Sequence, residues 1–206
     1  TPADFSATPE NWVGQVIGLL DALNLERVAI IGNSFGGAIA LKTASLHPER
    51  VGKLVLMGSV GVSFPITEGL EKVWGYQPSP DAMRELLHIF AYDHSIISDD
   101  LVDMRYRASI RADVQERFAS LFPPPRQEGV DRLALSDEAL RKISQPTAII
   151  HGRDDQVIPF AVSEALAGHL PNATLYPIEQ CGHWVQIEKG REFLAIVEPF
   201  LAQGIA

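Results

Sequence analysis

The sequence predicts an α/β fold with a mostly parallel sheet, because short apolar runs alternate with segments of helical periodicity. The runs lie at residues 27–31, 53–58, 147–150 and 173–178. Runs of this length, bounded by turn residues, are typical of strands buried in a parallel sheet. Strands that alternate with helical segments are the mark of an α/β architecture. No buried-strand run occurs between residues 64 and 144, so we expect a helical insertion there.

Composition restricts the class of protein. The 206 residues are 46% hydrophobic and 21% charged, which favours one packed domain and excludes a disordered chain. A single cysteine, Cys181, excludes a disulfide framework and a zinc ribbon. A net charge of −9 argues against nucleic acid or an anionic membrane as a partner. No apolar run approaches the roughly 20 residues of a membrane span, and no signal peptide is recognised, so we expect a cytoplasmic globular protein.

The first element is a helix that begins near Pro9. Thr8 supplies a capping hydroxyl, proline suits the first turn, and Glu10 places an acid there. Apolar residues then recur at helical spacing through Leu23. The strand at 27–31 follows, then a glycine-rich turn at 32–37, a second helix over about 38–46 and a second strand at 53–58.

The second half returns to the same alternation after the insertion. Within the insertion, helices are expected at 81–90, 99–107 and 112–121. The domain therefore divides into a core of residues 1–63 and 145–206 and a helical lid of about 64–144. In the core, we expect a helix over 161–170 between the last two strands, and a closing helix over about 191–201. Pro199 predicts a kink or an early stop in that closing helix.

A nucleophile motif lies where the first strand meets the second helix. The residues Gly32-Asn33-Ser34-Phe35-Gly36 form a G-x-S-x-G sequence. In such a turn the serine has a strained backbone, flanking glycines leave it room, and the helix N-terminus stabilises developing negative charge. The alternative is a turn whose glycines serve only close packing. A dinucleotide site is disfavoured, because neither G-x-G-x-x-G nor a P-loop lysine is present.

A serine nucleophile needs a base and an orienting acid, in the chain order serine, acid, histidine for this architecture. Of the six histidines, only His183 lies in a loop after the last predicted strand. For His47, His88, His94, His151 and His169 we expect capping, packing or solvent exposure. Asp155 is the favoured acid, and Asp154 is the alternative that spacing alone does not exclude.

These motifs resemble the α/β-hydrolase fold, and further segments resemble one family within it, the meta-cleavage product hydrolases of bacterial aromatic degradation. The resemblance extends along essentially the whole chain, including the lid, and is greatest to the branch that acts on 2-hydroxymuconic semialdehyde. The segments that carry it are Gly58-Ser59-Val60-Gly61, Thr67-Glu68-Gly69-Leu70, Val73-Trp74-Gly75-Tyr76-Gln77-Pro78, Phe90-Ala91-Tyr92-Asp93 and Cys181-Gly182-His183-Trp184.

The resemblance implies a catalytic triad of Ser34, Asp155 and His183, which selects Asp155 over its neighbour. It also implies that Asn33 and Trp184 line the substrate site. The implied reaction is hydrolysis of the carbon–carbon bond of a 2-hydroxy-6-oxohexa-2,4-dienoate, a small-molecule substrate. The products are 2-hydroxypenta-2,4-dienoate and a small acid. No metal or organic cofactor is required, and relatives commonly form homo-oligomers.

Two further roles follow from the resemblance. A lid arginine that binds the carboxylate of the dienoate matches Arg105 best, with Arg107 as the near alternative; a guanidinium fork holds a carboxylate at two points. Without the resemblance, an exposed ion pair would be the expected role of Arg105. The backbone N–H of Phe35 would supply one oxyanion donor.

The family has early strands and a His-Gly-rich loop with a second oxyanion donor, which this sequence lacks. We therefore expect the chain to be the carboxyl-terminal portion of a longer protein, with an exposed apolar edge at residues 28–31. Loss of one oxyanion donor costs on the order of 10²–10³ in rate elsewhere. The alternative functions are a general carboxylesterase of the same fold and a non-catalytic fragment.

Overall fold

A computed structural model describes residues 6–111 and 114–204. One parallel sheet has four strands in the order β1-β2-β3-β4, which is also their order in the chain. The strands are β1 Val28–Asn33, β2 Val51–Met57, β3 Thr147–Gly152 and β4 Ala173–Ile178. Their register aligns the carboxyl ends, since Asn33 pairs with Met57, Met57 with Ile150, and Ile150 with Tyr176.

Helices connect and flank these strands. In the core they are α1 Pro9–Ala22, α2 Phe35–Leu46, α9 Phe160–His169, α10 Val185–Glu188 and α11 Gly190–Ala202. Between β2 and β3 the chain forms α3 Glu68–Trp74, α4 Pro80–Phe90, α5 Asp99–Ser109, α6 Val114–Leu121, α7 Gln127–Leu133 and α8 Asp137–Lys142. Short 3₁₀ turns occupy Pro48–Arg50 and His94–Ile96. In the part of the chain that the structure describes, no helix has the length and apolarity needed to cross a membrane.

The sheet is covered on both faces, as its continuous apolar strands require. Alternate residues of a strand point to opposite faces. Leu54 and Leu56 accordingly pack with Ile39 of α2 in the larger apolar cluster. Val55, between them in the chain, belongs to a second cluster that contains Val197 of α11. The interior of the sheet is therefore mostly apolar, and most polar groups lie at the ends of the strands and in the loops that follow them.

The helix signals locate α1 correctly. Thr8 precedes the helix with extended backbone, and its Oγ1 accepts a hydrogen bond from the N–H of Asn11 at 3.2 Å. The helix after the serine turn begins at Phe35, three residues earlier than expected, because the turn is tighter than its glycine content suggests. The predicted helix over 112–121 is observed from Val114, and residues 112 and 113 lie outside the described residues.

The expected early stop at Pro199 is wrong. Helix α11 continues through this proline to Ala202. A proline removes one backbone donor and disturbs the carbonyl four residues earlier. Near the end of a helix few further bonds depend on that position. The last turn is also held from outside, because Lys53 Nζ donates a 2.6 Å hydrogen bond to the carbonyl of Phe200.

Candidate active site

Ser34 lies in a strained turn between β1 and α2. Its φ of 55° and ψ of −118° are outside the helical and extended regions. Non-glycine residues seldom adopt such positive φ values, and strain of this kind concentrates at functional sites. Three backbone hydrogen bonds fix the turn. The Ser34 N–H donates to Met57 O at 2.8 Å, and the Ser34 carbonyl accepts from the N–H groups of Gly37 at 3.0 Å and Val60 at 3.4 Å.

The glycines around this serine are not equivalent. A Cβ on Gly32 would lie 2.5 Å from the Gly36 carbonyl oxygen, so this position has no space for a side chain. A Cβ on Gly36 would meet nothing within 4 Å. Gly37 is the second crowded position, since its Cβ would lie 1.9 Å from Ser59 Oγ. The tight packing expected of the motif therefore depends on Gly32 and Gly37.

Asp155 and His183 form a buried pair at the carboxyl ends of the strands, where Ser34 also lies. Asp155 follows β3, His183 follows β4, and Oδ2 of the aspartate lies 2.7 Å from Nδ1 of the histidine. The Asp155 side chain is fully buried, whereas Asp154 is exposed. The residues at the end of β2 lie between this pair and the serine turn. Gly58, next to the residue whose carbonyl binds Ser34, would place a Cβ 3.0 Å from both of these atoms.

Hydrogen bonds orient both oxygens of Asp155. Oδ1 accepts from the N–H groups of Val157 at 2.7 Å and Ile158 at 3.0 Å. Burial by itself would raise the pKa of this carboxyl. The charge of His183 and the hydrogen bonds from His151 and His183 outweigh burial, so the pKa of Asp155 lies well below its usual value. The carboxylate is therefore ionised and fixed, as a group that stabilises an imidazolium must be.

His151 contacts the candidate acid, and the sequence did not lead us to expect this contact. Its ring is fully buried, with Nε2 at 2.9 Å from Asp155 Oδ2 and 3.1 Å from the Ile158 carbonyl oxygen. Nδ1 lies 2.7 Å from Ser163 Oγ. Capping, packing or solvent exposure was expected here. A polar ring that interrupts the apolar run of β3, four residues before the candidate acid, is the signal that could have identified it.

The other histidines lie away from this pair. His88 and His94 stack on each other with ring centroids 4.5 Å apart. Burial first, and then the neighbouring charges of His94 and Arg84, lower the pKa of His88. His47 and His169 lie beside surface carboxylates. Surface and packing roles were expected for these four.

The loop that carries His183 is attached to the segment after α4. The His183 N–H donates to the Phe90 carbonyl at 2.7 Å. Glu188 of α10 accepts the N–H of Gly182 on Oε1 at 2.9 Å, and the N–H of Tyr92 on Oε2 at 2.6 Å. Its Oε2 also accepts the N–H of the residue after Tyr92 at 3.1 Å. One carboxylate thus ties the loop of the candidate base to residues 92 and 93.

An aromatic wall continues from the histidine loop to α5. The rings of Trp184 and Phe90 stack with centroids 5.1 Å apart. The guanidinium carbon of Arg105 lies 5.2 Å from the centroid of the Trp184 ring, a cation–π distance. Arg107 instead binds Asp103 one turn earlier on the same helix at 2.9 Å. Of the two arginines that the sequence left open, Arg105 contacts the Trp184 ring, and its role in binding a carboxylate stays a prediction.

Three other residues complete the neighbourhood. The Asn33 amide donates to the Met57 carbonyl at 3.0 Å, which joins the ends of β1 and β2. Its substrate contact stays a prediction. Phe35 is the first residue of α2, where backbone N–H groups have no partner within the helix. Burial first, and then the charge of Glu188, raises the pKa of the Cys181 thiol to about 12, which makes it a poor nucleophile.

Comparison with known protein families identifies the class of protein to which the chain belongs. The model of the alpha/beta hydrolase fold family matches residues 10–190, from α1 to the beginning of α11. The chain is therefore an α/β hydrolase, and the strained serine turn is the local structure that this class shares.

Individual relatives define the family more narrowly. The chain is 53% identical over 205 residues to a 2-hydroxymuconate semialdehyde hydrolase of Pseudomonas putida, covering 100% of this chain and 73% of the relative. A 2-hydroxy-6-oxo-2,4-heptadienoate hydrolase of Pseudomonas putida is 53% identical over 193 residues, or 94% of this chain and 70% of the relative. The meta-cleavage product hydrolase CumD of Pseudomonas fluorescens IP01, solved as a mutant complexed with acetates, superposes with a TM-score of 0.97. That comparison has 46% identity and covers 98% of this chain and 74% of the other. The chain belongs to the meta-cleavage product hydrolases.

Proposed function

We propose that this protein hydrolyses the C5–C6 bond of 2-hydroxy-6-oxohexa-2,4-dienoates, with 2-hydroxymuconic semialdehyde and its alkyl analogues as substrates. The identity of 53% to a 2-hydroxymuconate semialdehyde hydrolase favours this substrate class. The observation that carries the proposal is the position of Arg105 on the Trp184 ring, beside the loop of His183. A cation at that place provides a partner for the carboxylate end of a dienoate.

Ser34, Asp155 and His183 act as the triad in this proposal. The substrate is first converted from dienol to ketone, so that the C5–C6 bond can break with its electron pair delocalised through the C3–C4 double bond onto the C2 ketone. His183 accepts a proton from Ser34, or from a water that Ser34 positions, as oxygen adds to the C6 carbonyl. Asp155 stabilises the imidazolium that forms. The Phe35 N–H donates to the oxyanion.

Cleavage balances with one molecule of water. C5 takes a proton when the dienol is converted to the ketone. The C5–C6 bond then breaks, its electron pair passes through C4 and C3 to the C2 oxygen, which takes a proton, and C6 leaves as a carboxylic acid after hydroxyl from water is added. The products are 2-hydroxypenta-2,4-dienoate and, for the semialdehyde, formate. The addition and cleavage steps use side chains and a backbone group of the candidate site, one water, and no redox partner.

Residues 64–144 serve as the lid over this site. Arg105 on α5 binds the carboxylate, and Phe90 and Trp184 form the adjacent apolar wall. Asn33 contributes a polar group at the end of β1. A homo-oligomeric state, a cytoplasmic location and the absence of nucleic-acid partners stay predictions, since each depends on surfaces or cell contexts outside this geometry.

The function is tested by the yellow dienolate of 2-hydroxymuconic semialdehyde, whose decay is followed optically. We expect decay by the purified protein and a fall in rate of about 10⁴-fold or more in Ser34→Ala, because the nucleophile is lost. Ser45→Ala, which changes a serine near the other end of α2, is the matched control and should retain the rate.

A parallel assay with a small neutral ester separates the two enzyme functions. A carbon–carbon hydrolase processes the dienolate and releases the pentadienoate product, whereas a general carboxylesterase cleaves only the ester. Absence of dienolate decay in folded protein, or decay unchanged by Ser34→Ala, would contradict the proposal.

A further inference from the structure

We propose that His151 is a positioning residue of the triad, which holds the Asp155 carboxylate for His183 and is itself fixed by Ser163. This inference rests on the proposed function, because it assigns His151 a part in the same site. Asp155 Oδ2 lies within hydrogen-bond distance of two imidazoles at once, His183 Nδ1 at 2.7 Å and His151 Nε2 at 2.9 Å.

The contacts of His151 assign its tautomer. Nε2 faces two acceptors, Asp155 Oδ2 and the Ile158 carbonyl oxygen at 3.1 Å, so this nitrogen must carry a hydrogen. Nδ1 faces the Ser163 hydroxyl at 2.7 Å. A hydroxyl donates to an unprotonated ring nitrogen, so a neutral imidazole satisfies both contacts. Ser163 thereby fixes the ring at Nδ1 while Nε2 donates to Asp155.

Burial makes this arrangement stiff. His151 and Ser163 both have 0% relative exposure, so their polar atoms depend on these partners. The His151 ring lies on the strand β3, and its neighbour Phe160 packs against it with centroids 5.5 Å apart. A donor built on a strand and enclosed by a helix keeps its position better than a side chain on the loop.

The surrounding charges determine what loss of this donor does. Among the described residues, the charged or titratable groups near the arrangement, besides Asp155 and His183, include Arg153, Glu188 and Cys181. The Arg153 guanidinium lies 4.0 Å from the centroid of the Phe160 ring, Glu188 accepts the N–H of Gly182, and the raised pKa of the Cys181 thiol keeps it neutral. Removing the His151 N–H leaves more negative charge on Oδ2 toward His183. That charge then stabilises the positive charge that His183 acquires during the reaction more strongly than in the wild type.

Two substitutions at one position test the proposal in the intact protein. His151→Leu removes the donor, while His151→Gln keeps an N–H near the place of Nε2. For the leucine variant we expect a fall in kcat of about 10- to 100-fold, the range seen when an orienting partner of a functional group is lost. KM should change less than about twofold, because nothing in substrate binding is altered. The acid limb of kcat/KM should move to higher pH, and the glutamine variant should recover most of both effects.

A second measurement does not require turnover. The downfield proton resonance of the Asp155–His183 hydrogen bond should shift in His151→Leu and stay near its original position in His151→Gln. If the protein itself fails to cleave the dienolate, the proposed function fails while this resonance still tests His151. Equal kcat, pH profile and resonance in wild type and His151→Leu would overturn the inference. So would equal losses in both variants that follow a lowered urea midpoint, since that pattern indicates packing alone.

Discussion

Arg105 and Arg107 are two residues apart on α5 and have different partners. Residues at this spacing do not share a helix face. Arg107 lies one turn after Asp103 and binds it at 2.9 Å, on a side of the helix where it is 75% exposed. Arg105 instead extends over the Trp184 ring. Both arginines are exposed, and only Arg105 contacts the aromatic wall of the candidate site.

For Arg105→Ala we predict a rise in KM for the dienoate of about 10- to 100-fold, corresponding to about 1.5–3 kcal/mol for a charge-assisted hydrogen bond to the carboxylate. Hydrolysis of a small neutral ester should be nearly unchanged, because that substrate offers no carboxylate. Steady-state kinetics on both substrates measure the effect. Arg107→Ala removes the same charge and serves as the control. Equal losses in the two variants would refute the assignment.

The turn between β1 and α2 holds the candidate nucleophile, Ser34, and its shape depends on the glycines around it. The backbone of Gly32 packs closely against the carbonyl of Gly36. This close approach allows the chain to reverse within the few residues around Ser34. The two glycines of the motif look alike in sequence, yet only the first is in contact with backbone. Backbone cannot move aside as a flexible side chain does, so the restriction at Gly32 is rigid.

Gly32→Ala should therefore destabilise the protein by about 2 kcal/mol or more, as forced overpacking does elsewhere. In Gly36→Ala the methyl group meets open space within a helix, so stability should be unchanged or rise by up to about 1 kcal/mol. Urea unfolding of both variants and the wild type gives the comparison. A Gly36→Ala variant as unstable as Gly32→Ala would contradict this view of the turn.

At the scale of the whole molecule, the sheet of the described residues has β1 at one edge. Ile31 of this strand is 46% exposed. Leu19 of the neighbouring α1 and Leu23, the residue directly after that helix, are 59% and 57% exposed. An edge strand presents unpaired backbone donors and acceptors, and apolar side chains beside it favour pairing with another chain. This agrees with the apolar edge that the sequence predicts at 28–31.

We predict that this edge causes concentration-dependent self-association, and that Ile31→Lys reduces it severalfold by placing a charge on the strand. Light scattering or sedimentation over a range of protein concentrations measures the mean mass. Leu194→Lys is the matched control, since Leu194 is 48% exposed but lies on α11. A mean mass that falls equally in both variants would indicate a general effect of charge and not of the edge.

Local signals predicted the elements that are long or strongly marked. Thr8 and Pro9 located α1, and apolar runs located all four strands, because these features act within a few residues. The short helices α3, α7, α8 and α10 were not predicted, since four to seven residues carry too little periodicity. The role of Glu188 was also invisible, because its contact with Tyr92 joins residues that are 96 positions apart. His151 had a local signal, but its meaning depends on Ser163 and Asp155 meeting it in space.

The burial of Cys181 gives the protein a built-in reporter. It is the sole cysteine of the sequence, has no exposed surface, and directly precedes Gly182 and the candidate base. Its raised pKa keeps the sulfur as a thiol, which thiol-specific reagents attack slowly. The rate at which such a reagent modifies Cys181 therefore reports how often the histidine loop opens and exposes the thiol. The opening rate of the active site is accordingly measurable in the native sequence without an added label.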